Sequence, residues 1–93
     1  MINSFGSDDT ERIFIGERPK KLPTVICKVA RRKLRQLNNA QILDDLRIPP
    51  GNRLEKLKGD LEDYYSIRIN RQWRIIFIWD EGDVDEATIV DYH

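Results

Sequence analysis

Residues 64–79 read Tyr64-Tyr65-Ser66-Ile67-Arg68-Ile69-Asn70-Arg71-Gln72-Trp73-Arg74-Ile75-Ile76-Phe77-Ile78-Trp79, and their pattern decides the fold. The first part alternates. Tyr65, Ile67 and Ile69 fall on one side, and Ser66, Arg68 and Asn70 on the other. A period of two marks a strand with one face against a core. Asn70-Arg71 interrupts the run, and Asn tolerates positive φ, so a tight hairpin turn is expected there. Trp73 to Trp79 is then almost continuously apolar, as in a central strand covered on both faces, with Arg74 as the polar exception.

Working outward, Arg53-Leu54-Glu55-Lys56-Leu57 is a strand candidate closed by Gly59-Asp60. Glu81-Gly82-Asp83 turns the chain again, and Glu86 to Asp91, containing Ala87-Thr88-Ile89-Val90, makes the last strand of a meander. Ahead of Pro49-Pro50-Gly51 the period is helical. Leu22, Ile26, Val29, Ala30, Leu34 and Leu37 recur at helical spacing between about Pro23 and Asn38, with Lys28, Arg31, Arg32 and Arg35 mostly opposite. Ile42 to Leu46 reads as one further helical turn. Ser7 is a good N-cap for a shorter helix that carries Asp8, Asp9 and Glu11 in its first turn and stops near Gly16. Gly16 to Pro23 reads as a mobile basic connector, and Ile2 to Phe5 as a short first strand. Helices first and an antiparallel meander second predict an α+β domain, with the N-terminal helices packed on one face of a mainly antiparallel sheet.

With 34% charged and 40% hydrophobic residues in a chain of 93, a single domain spanning 1–93 has a small core and a heavily charged surface. No apolar run approaches a membrane span and no secretory signal opens the chain, so no membrane association is expected. The single cysteine, Cys27, excludes an internal disulfide and fits a cytoplasmic location; it reads most simply as a small residue on a helix. The net charge of zero hides an asymmetry. Residues 1–50 hold ten basic and six acidic side chains, and residues 51–93 hold six and ten, so the halves carry +4 and −4. Between Arg18 and Arg35 there are eight basic residues and no acid. That run (Arg18, Lys20, Lys21, Lys28, Arg31, Arg32 and Arg35 among them) suits a polyanionic partner, or else is a solvated helix face.

The chain's one histidine is its last residue, in Asp91-Tyr92-His93, directly after the final strand. If that strand pairs, an acid, a phenol and an imidazole are held at the sheet edge. Arg68 and Arg74 lie on adjacent strands either side of the hairpin turn and can share a face. Two guanidiniums together call for an anion, phosphate or carboxylate. That anion is either external or a structural partner, Glu55 or Asp91. Lys58, in Leu57-Lys58-Gly59-Asp60, joins Arg68, Arg74, Tyr92 and His93 as a possible ring around one anionic site. One histidine and one cysteine build no common zinc shell, and no glycine-rich phosphate loop follows a strand, so no metal or cofactor is expected. Basic groups plus an imidazole suit RNA cleavage, in which the 2′-hydroxyl of RNA is itself the nucleophile. The protein must then supply a base, cations for the crowded phosphate and an acid for the leaving 5′-oxygen. His93 can serve in either proton transfer near neutral pH.

At these residues the chain resembles the HigB-type toxins, RelE-like ribosome-dependent mRNA interferases also called plasmid maintenance killer proteins. The resemblance spans the whole chain: Met1-Ile2-Asn3-Ser4-Phe5, Pro50-Gly51-Asn52-Arg53-Leu54-Glu55, Leu57-Lys58-Gly59-Asp60, Tyr65-Ser66-Ile67-Arg68-Ile69-Asn70, Gln72-Trp73-Arg74-Ile75 and Val90-Asp91-Tyr92-His93. Asn52-Arg53-Leu54-Glu55 is similar to the GraT-like members. The resemblance implies a small RelE-like α+β domain and a toxin of a type II toxin–antitoxin pair that cleaves mRNA in the ribosomal A site without a cofactor. It also implies a HigA-type helix-turn-helix antitoxin that binds the toxin and reaches operator DNA as the complex. Carried over by motif, Lys58, Arg74, Asp91, Tyr92 and His93 are the catalytic positions; beside them Arg68 and Glu55 are expected at the substrate, and Arg18, Lys20, Lys21, Lys28, Arg31, Arg32 and Arg35 on ribosomal RNA. Some members carry a histidine where this chain has Glu55, which therefore acts as a general base, as a paired carboxylate or as neither. A toxin homologue without effective catalysis, acting as an antitoxin-binding co-regulator, is the alternative. A free ribonuclease that cuts naked RNA is another.

Overall fold

The computed structural model describes residues 1–92, and His93 lies outside the described residues. Helix α1 spans Asp8–Phe14 and α2 spans Thr24–Asn39. Single 3-10 turns follow at Leu43–Arg47, Pro50–Asn52 and Gly59–Leu61. Strands β1 (Glu55–Lys56), β2 (Tyr65–Arg68), β3 (Trp73–Asp80) and β4 (Asp83–Asp91) form one antiparallel four-stranded sheet in sequence order. The expected α+β architecture is the one observed.

Local chemistry explains the helix ends. Ser7 Oγ accepts from Thr10 N at 3.2 Å, satisfying one orphan donor of α1. At the other end Gly16 sits at φ +101 and its N–H bonds to Ile13 O, while Glu17 N bonds to Arg12 O, the pairing of a Schellman stop. Arg31 on α2 donates from Nε to Ile13 O at 2.8 Å and from Nη2 to Glu17 O at 3.2 Å, so it ties down the C-terminus of α1 and the start of the basic connector.

The core lies between the helices and one sheet face. From α2 come Ile26, Ala30, Leu34 and Leu37; from the sheet come Ile67, Ile75, Phe77, Val84, Ala87 and Ile89; Ile13 and Leu46 close the ends. On β3 the inward set is Ile75 and Phe77, so strand alternation points Arg74 and Ile76 at the opposite face. Ile76 is buried there too, as its continuous apolar run suggested.

Several expectations need correction. The Arg53–Leu57 strand is paired only at Glu55 and Lys56, because Arg53 adopts φ +46 and leaves the extended region. Ile2 to Phe5 makes only two isolated parallel bridges to β4, at Val84 and Ala87. The last strand begins at Asp83, earlier than Glu86, because Glu81 and Gly82 both take positive φ in a two-residue hairpin turn. Glu86, at φ +56, is the extra residue of a bulge opposite Phe77. Asn70 stabilises its hairpin differently from expected. Neither it nor Arg71 takes positive φ, and Asn70 Oδ1 instead accepts from Gln72 N at 2.9 Å and Trp73 N at 2.8 Å.

Candidate active site

The sheet face away from the helices carries the charged chemistry. Register sets Arg68 directly opposite Arg74, and Glu55 opposite Ser66. Arg74 then lies across the sheet. Its Nε donates to Ser66 Oγ at 2.9 Å, its Nη2 to Arg53 O at 2.7 Å, and its Nη1 meets Glu55 Oε1 at 3.0 Å. The guanidinium also sits 5.4 Å from the ring centroid of Tyr92. Burial first, then the like charges of Arg68 and Arg53, lower its pKa, while Glu55 and Tyr92 act against that shift. A guanidinium stays protonated through such a shift, so the region keeps a fixed cation.

The two ends of this ion pair differ. The Arg74 side chain is 8% exposed and the Glu55 side chain 50%. Glu55 reaches the solvent beside Lys58 and Tyr92, and with Lys56, Leu57 and Leu61 these line an open cleft of about 400 Å³. Gly59 at φ +69 follows Lys58 and begins the 3-10 turn whose Leu61 lines the cleft. Tyr92 is fixed from its backbone, because its N–H donates to Gln72 O at 2.6 Å and continues the β3–β4 ladder past the last pair, Trp73↔Asp91.

The structure thus gathers Glu55, Lys58 and Tyr92 around one cleft, with Arg74 behind Glu55 and Tyr92. Arg68 stands at the hairpin end of the same face, where its Nε donates to Asn70 O at 3.0 Å. Asp91 is not brought to Arg74. It pairs in register with Trp73 and accepts from Gln72 Nε2 at 3.1 Å, and alternation puts it on the face of Ile89. His93 falls outside the described residues. Of the two outcomes open for Arg74, an internal carboxylate is present, and it is Glu55.

The basic residues divide. Arg31 is committed to α1, as described above. Lys28, Arg32 and Arg35 follow one another at helical spacing on the exposed side of α2 and, with Arg31, line a wholly basic groove of about 340 Å³. Arg18, Lys20 and Lys21 line a cleft of about 420 Å³ together with Arg12, Asp8, Asp9 and Glu17, so the three carboxylates offset most of the local positive charge. Since α2 covers the core face of the sheet, its basic groove and the Arg74 cleft lie on opposite sides of the domain.

Sequence reasoning missed three contributors. Arg53 supplies its carbonyl to Arg74, which follows from a backbone angle that no side-chain pattern announces. Ser66 was visible only as a polar residue on the Arg68 side of its strand. Lys33, counted among the basic run, is instead buried and donates to Asn52 Oδ1. Asn52 in turn donates to Gln36 Oε1 and Leu46 O, each at 3.0 Å, and so anchors the Pro49–Arg53 turn from beneath. Burial first, and then Arg32, lower the Lys33 pKa.

Comparison with known proteins gives the family. The family model described as the RelE-like toxin of type II toxin–antitoxin system HigB matches residues 3–93. Toxin HigB-1 of Vibrio cholerae serotype O1 is 47% identical over 77 residues, covering 83% of this chain and 80% of that one. Endoribonuclease HigB of Proteus vulgaris is 44% identical over a shorter stretch of 41 residues, 44% of this chain and 45% of that one. Among solved structures, the YoeB–YefM complex of Staphylococcus aureus contains a chain with the same fold at a TM-score of 0.62 and 22% identity, covering 100% of this chain and 98% of that one.

Proposed function

This chain belongs to the RelE-like HigB toxins of type II toxin–antitoxin systems, and from that premise we propose that it is a metal-independent endoribonuclease that cuts mRNA in the ribosomal A site. The observation that carries the reading is the cleft of Glu55, Lys58 and Tyr92 backed by the buried Arg74 cation. In the reaction the 2′-oxygen bonds to the adjacent phosphorus as the bond to the 5′-oxygen breaks, and one proton leaves the 2′-hydroxyl while another reaches the departing 5′-oxygen. The scissile phosphate takes the place of the Glu55 carboxylate on Arg74 Nη1. Lys58 and Arg74 stabilise the charge that gathers on phosphorus-bound oxygens. Tyr92, half exposed over Arg74, stacks on a base or holds a phosphate oxygen. Released Glu55 accepts the 2′-hydroxyl proton and His93 donates to the leaving oxygen. Asp91 acts on the tail's position through Gln72 rather than on phosphate.

With so few reacting groups, alignment of the 2′-hydroxyl must come from outside, which is the reason for dependence on the ribosome. The basic groove of Lys28, Arg32 and Arg35 contacts ribosomal RNA from the side opposite the cleft, and added salt weakens that contact. The partner that silences the toxin is a HigA-type helix-turn-helix antitoxin, operator DNA is met only through that complex, and the site of action is the cytoplasm.

The test is cleavage of an mRNA positioned on purified ribosomes, with chelator present, by the wild type, Glu55→Ala, Glu55→His and a chain lacking His93. Cleavage at the A-site codon by the wild type is expected, with loss on deleting His93 and on Glu55→Ala and partial retention in Glu55→His. Equal cleavage of naked RNA refutes ribosome dependence. No cleavage at all, with antitoxin binding intact, favours the co-regulator. Unchanged rates in both Glu55 variants remove Glu55 from proton transfer.

A further inference from the structure

Two further arginines, Arg53 and Arg68, flank Arg74 on the open sheet face. The β2–β3 register pairs Arg68 with Arg74, and the β1–β2 register pairs Glu55 with Ser66. Arg53 lies just beyond that pairing, and its carbonyl accepts from Arg74 Nη2 at 2.7 Å. Neighbouring strands are about 4.8 Å apart, so β1 to β3 cross roughly 10 Å of sheet, enough to meet two successive phosphates of one strand.

The three guanidiniums are not equally occupied. All of the nitrogens of Arg74 have protein partners. Arg68 uses only Nε, on Asn70 O. The Arg53 side chain is exposed and makes no hydrogen bond or ion pair among the described residues, although its carbonyl is spent on Arg74. Glu55 is the one carboxylate ion-paired to these arginines among the described residues. The positive charges of Arg68 and Arg53 are felt at Arg74. Like charges this close repel, and water or an anion between them relieves that repulsion. Arg53 also keeps φ +46, an angle that glycine adopts more readily than arginine. Conformations of this kind collect where a side chain or carbonyl must be aimed. Here both are: the carbonyl goes inward to Arg74 and the side chain goes outward to solvent.

We propose that Arg53 and Arg68 form a second phosphodiester subsite, beside Arg74, that grips the RNA phosphate next to the scissile one and sets the register of the strand in the cleft. The subsite rests on the ribonuclease reading above. A phosphodiester suits it better than a carboxylate ligand, because two open guanidinium edges flanking Arg74 match the several oxygens of a phosphate. The energy gained there positions substrate, so its loss weakens binding of the mRNA more than it slows the bound complex.

The experiment is single-turnover cleavage on ribosomes programmed with an mRNA that carries one neutral methylphosphonate linkage next to the scissile phosphate, on either side of it. Wild type, Arg53→Gln, Arg68→Gln and Arg53→Lys are compared on the charged and neutral mRNAs. Ribosomal phosphates keep their charge throughout, so any effect of the neutral linkage belongs to the mRNA. On all-phosphate mRNA, each Gln variant should need roughly ten-fold more toxin for half-maximal rate, with the maximal rate changed much less and Arg53→Lys partly restored. The neutral linkage on one side should impose the same factor on the wild type and abolish the difference between wild type and Arg53→Gln. The subsite is overturned if the neutral linkage and Arg53→Gln impair cleavage independently, or if Arg53→Gln lowers the maximal rate at unchanged half-saturation. Failure of the wild type to cut the unmodified mRNA overturns the ribonuclease reading itself, and the subsite with it.

Discussion

Removing the two partners of the Arg74–Glu55 pair should have very unequal consequences for stability. Arg74 is held at three points, Ser66 Oγ at 2.9 Å, Arg53 O at 2.7 Å and Glu55 Oε1 at 3.0 Å. Arg74→Lys keeps the charge but replaces a planar fork by a point donor that cannot span all three. Hydrogen bonds to a charged donor contribute about 1.5–3 kcal/mol each when buried. Ser66 can turn its hydroxyl elsewhere, and Glu55, with half its side chain exposed, can be hydrated. The net loss is then about 2–4 kcal/mol, most of it from the Arg53 carbonyl. Glu55→Gln keeps an oxygen that can accept from Arg74 and removes only the charge at a half-exposed site, where such pairs contribute about 0–1 kcal/mol. Arg74 retains its other two partners in that variant. Urea unfolding of the two purified proteins reads the difference as a shift in midpoint at constant slope. For a domain of this size the Arg74→Lys loss also lowers the melting temperature by roughly 10–25 °C. Equal destabilisation by the two substitutions, or an Arg74→Lys protein within about half a kcal/mol of the wild type, would refute the claim that Arg74 is anchored from within the sheet and Glu55 is the exchangeable partner.

Two further outcomes follow from buried polar contacts. Thr10→Val removes the hydroxyl that accepts from Ile89 N at 2.9 Å and leaves a buried N–H unpaired. It should destabilise by about 1–3 kcal/mol and selectively speed amide exchange at Ile89; unchanged protection at that amide would show that Thr10 is not its partner. The Lys33 pKa is lowered in the folded state, chiefly by burial, so the folded protein binds fewer protons than the unfolded chain between that value and the ordinary 10.5. Stability should therefore rise with pH through this window, the penalty being fully present below it. Lys33→Met should abolish that slope while leaving the Asn52 oxygen unpaired, and a slope unaltered in the variant would contradict the assignment.

Much of this was legible in the residues. The alternation of Tyr65 to Ile69, the apolar run to Trp79 and the heptad-like spacing on α2 each report which side of an element meets the core, and burial of apolar surface is the dominant force that orders them. Ser7 and Gly16 were legible because caps and stops depend on a few adjacent atoms. Arg68 and Arg74 could be put on one face because strand period and hairpin position together determine which residues share it, and Glu55 could be named as a partner carboxylate for them; Lys58 and Tyr92 were joined to them by their chemistry and by the family resemblance. Lys33 was less transparent. A lysine within a basic run looks solvated, and only the packing of α2 over the Pro49–Arg53 turn puts it inside with Asn52 as its partner.

The sequence by itself determined the order of helices and strands, the face that forms the core and the residues able to meet an anion, since these depend on periodicity and on the intrinsic chemistry of side chains. Tertiary structure decided the rest: that Arg74 is spent on Ser66, Arg53 and Glu55, that Asp91 goes to Gln72, and that the α2 groove and the cleft lie on opposite sides. Those facts depend on register between strands and on one positive φ at Arg53, where a shift of a single residue would turn every side chain to the other face. Contacts between distant segments are settled by how the whole sheet pairs, and no local pattern in the chain carries that information.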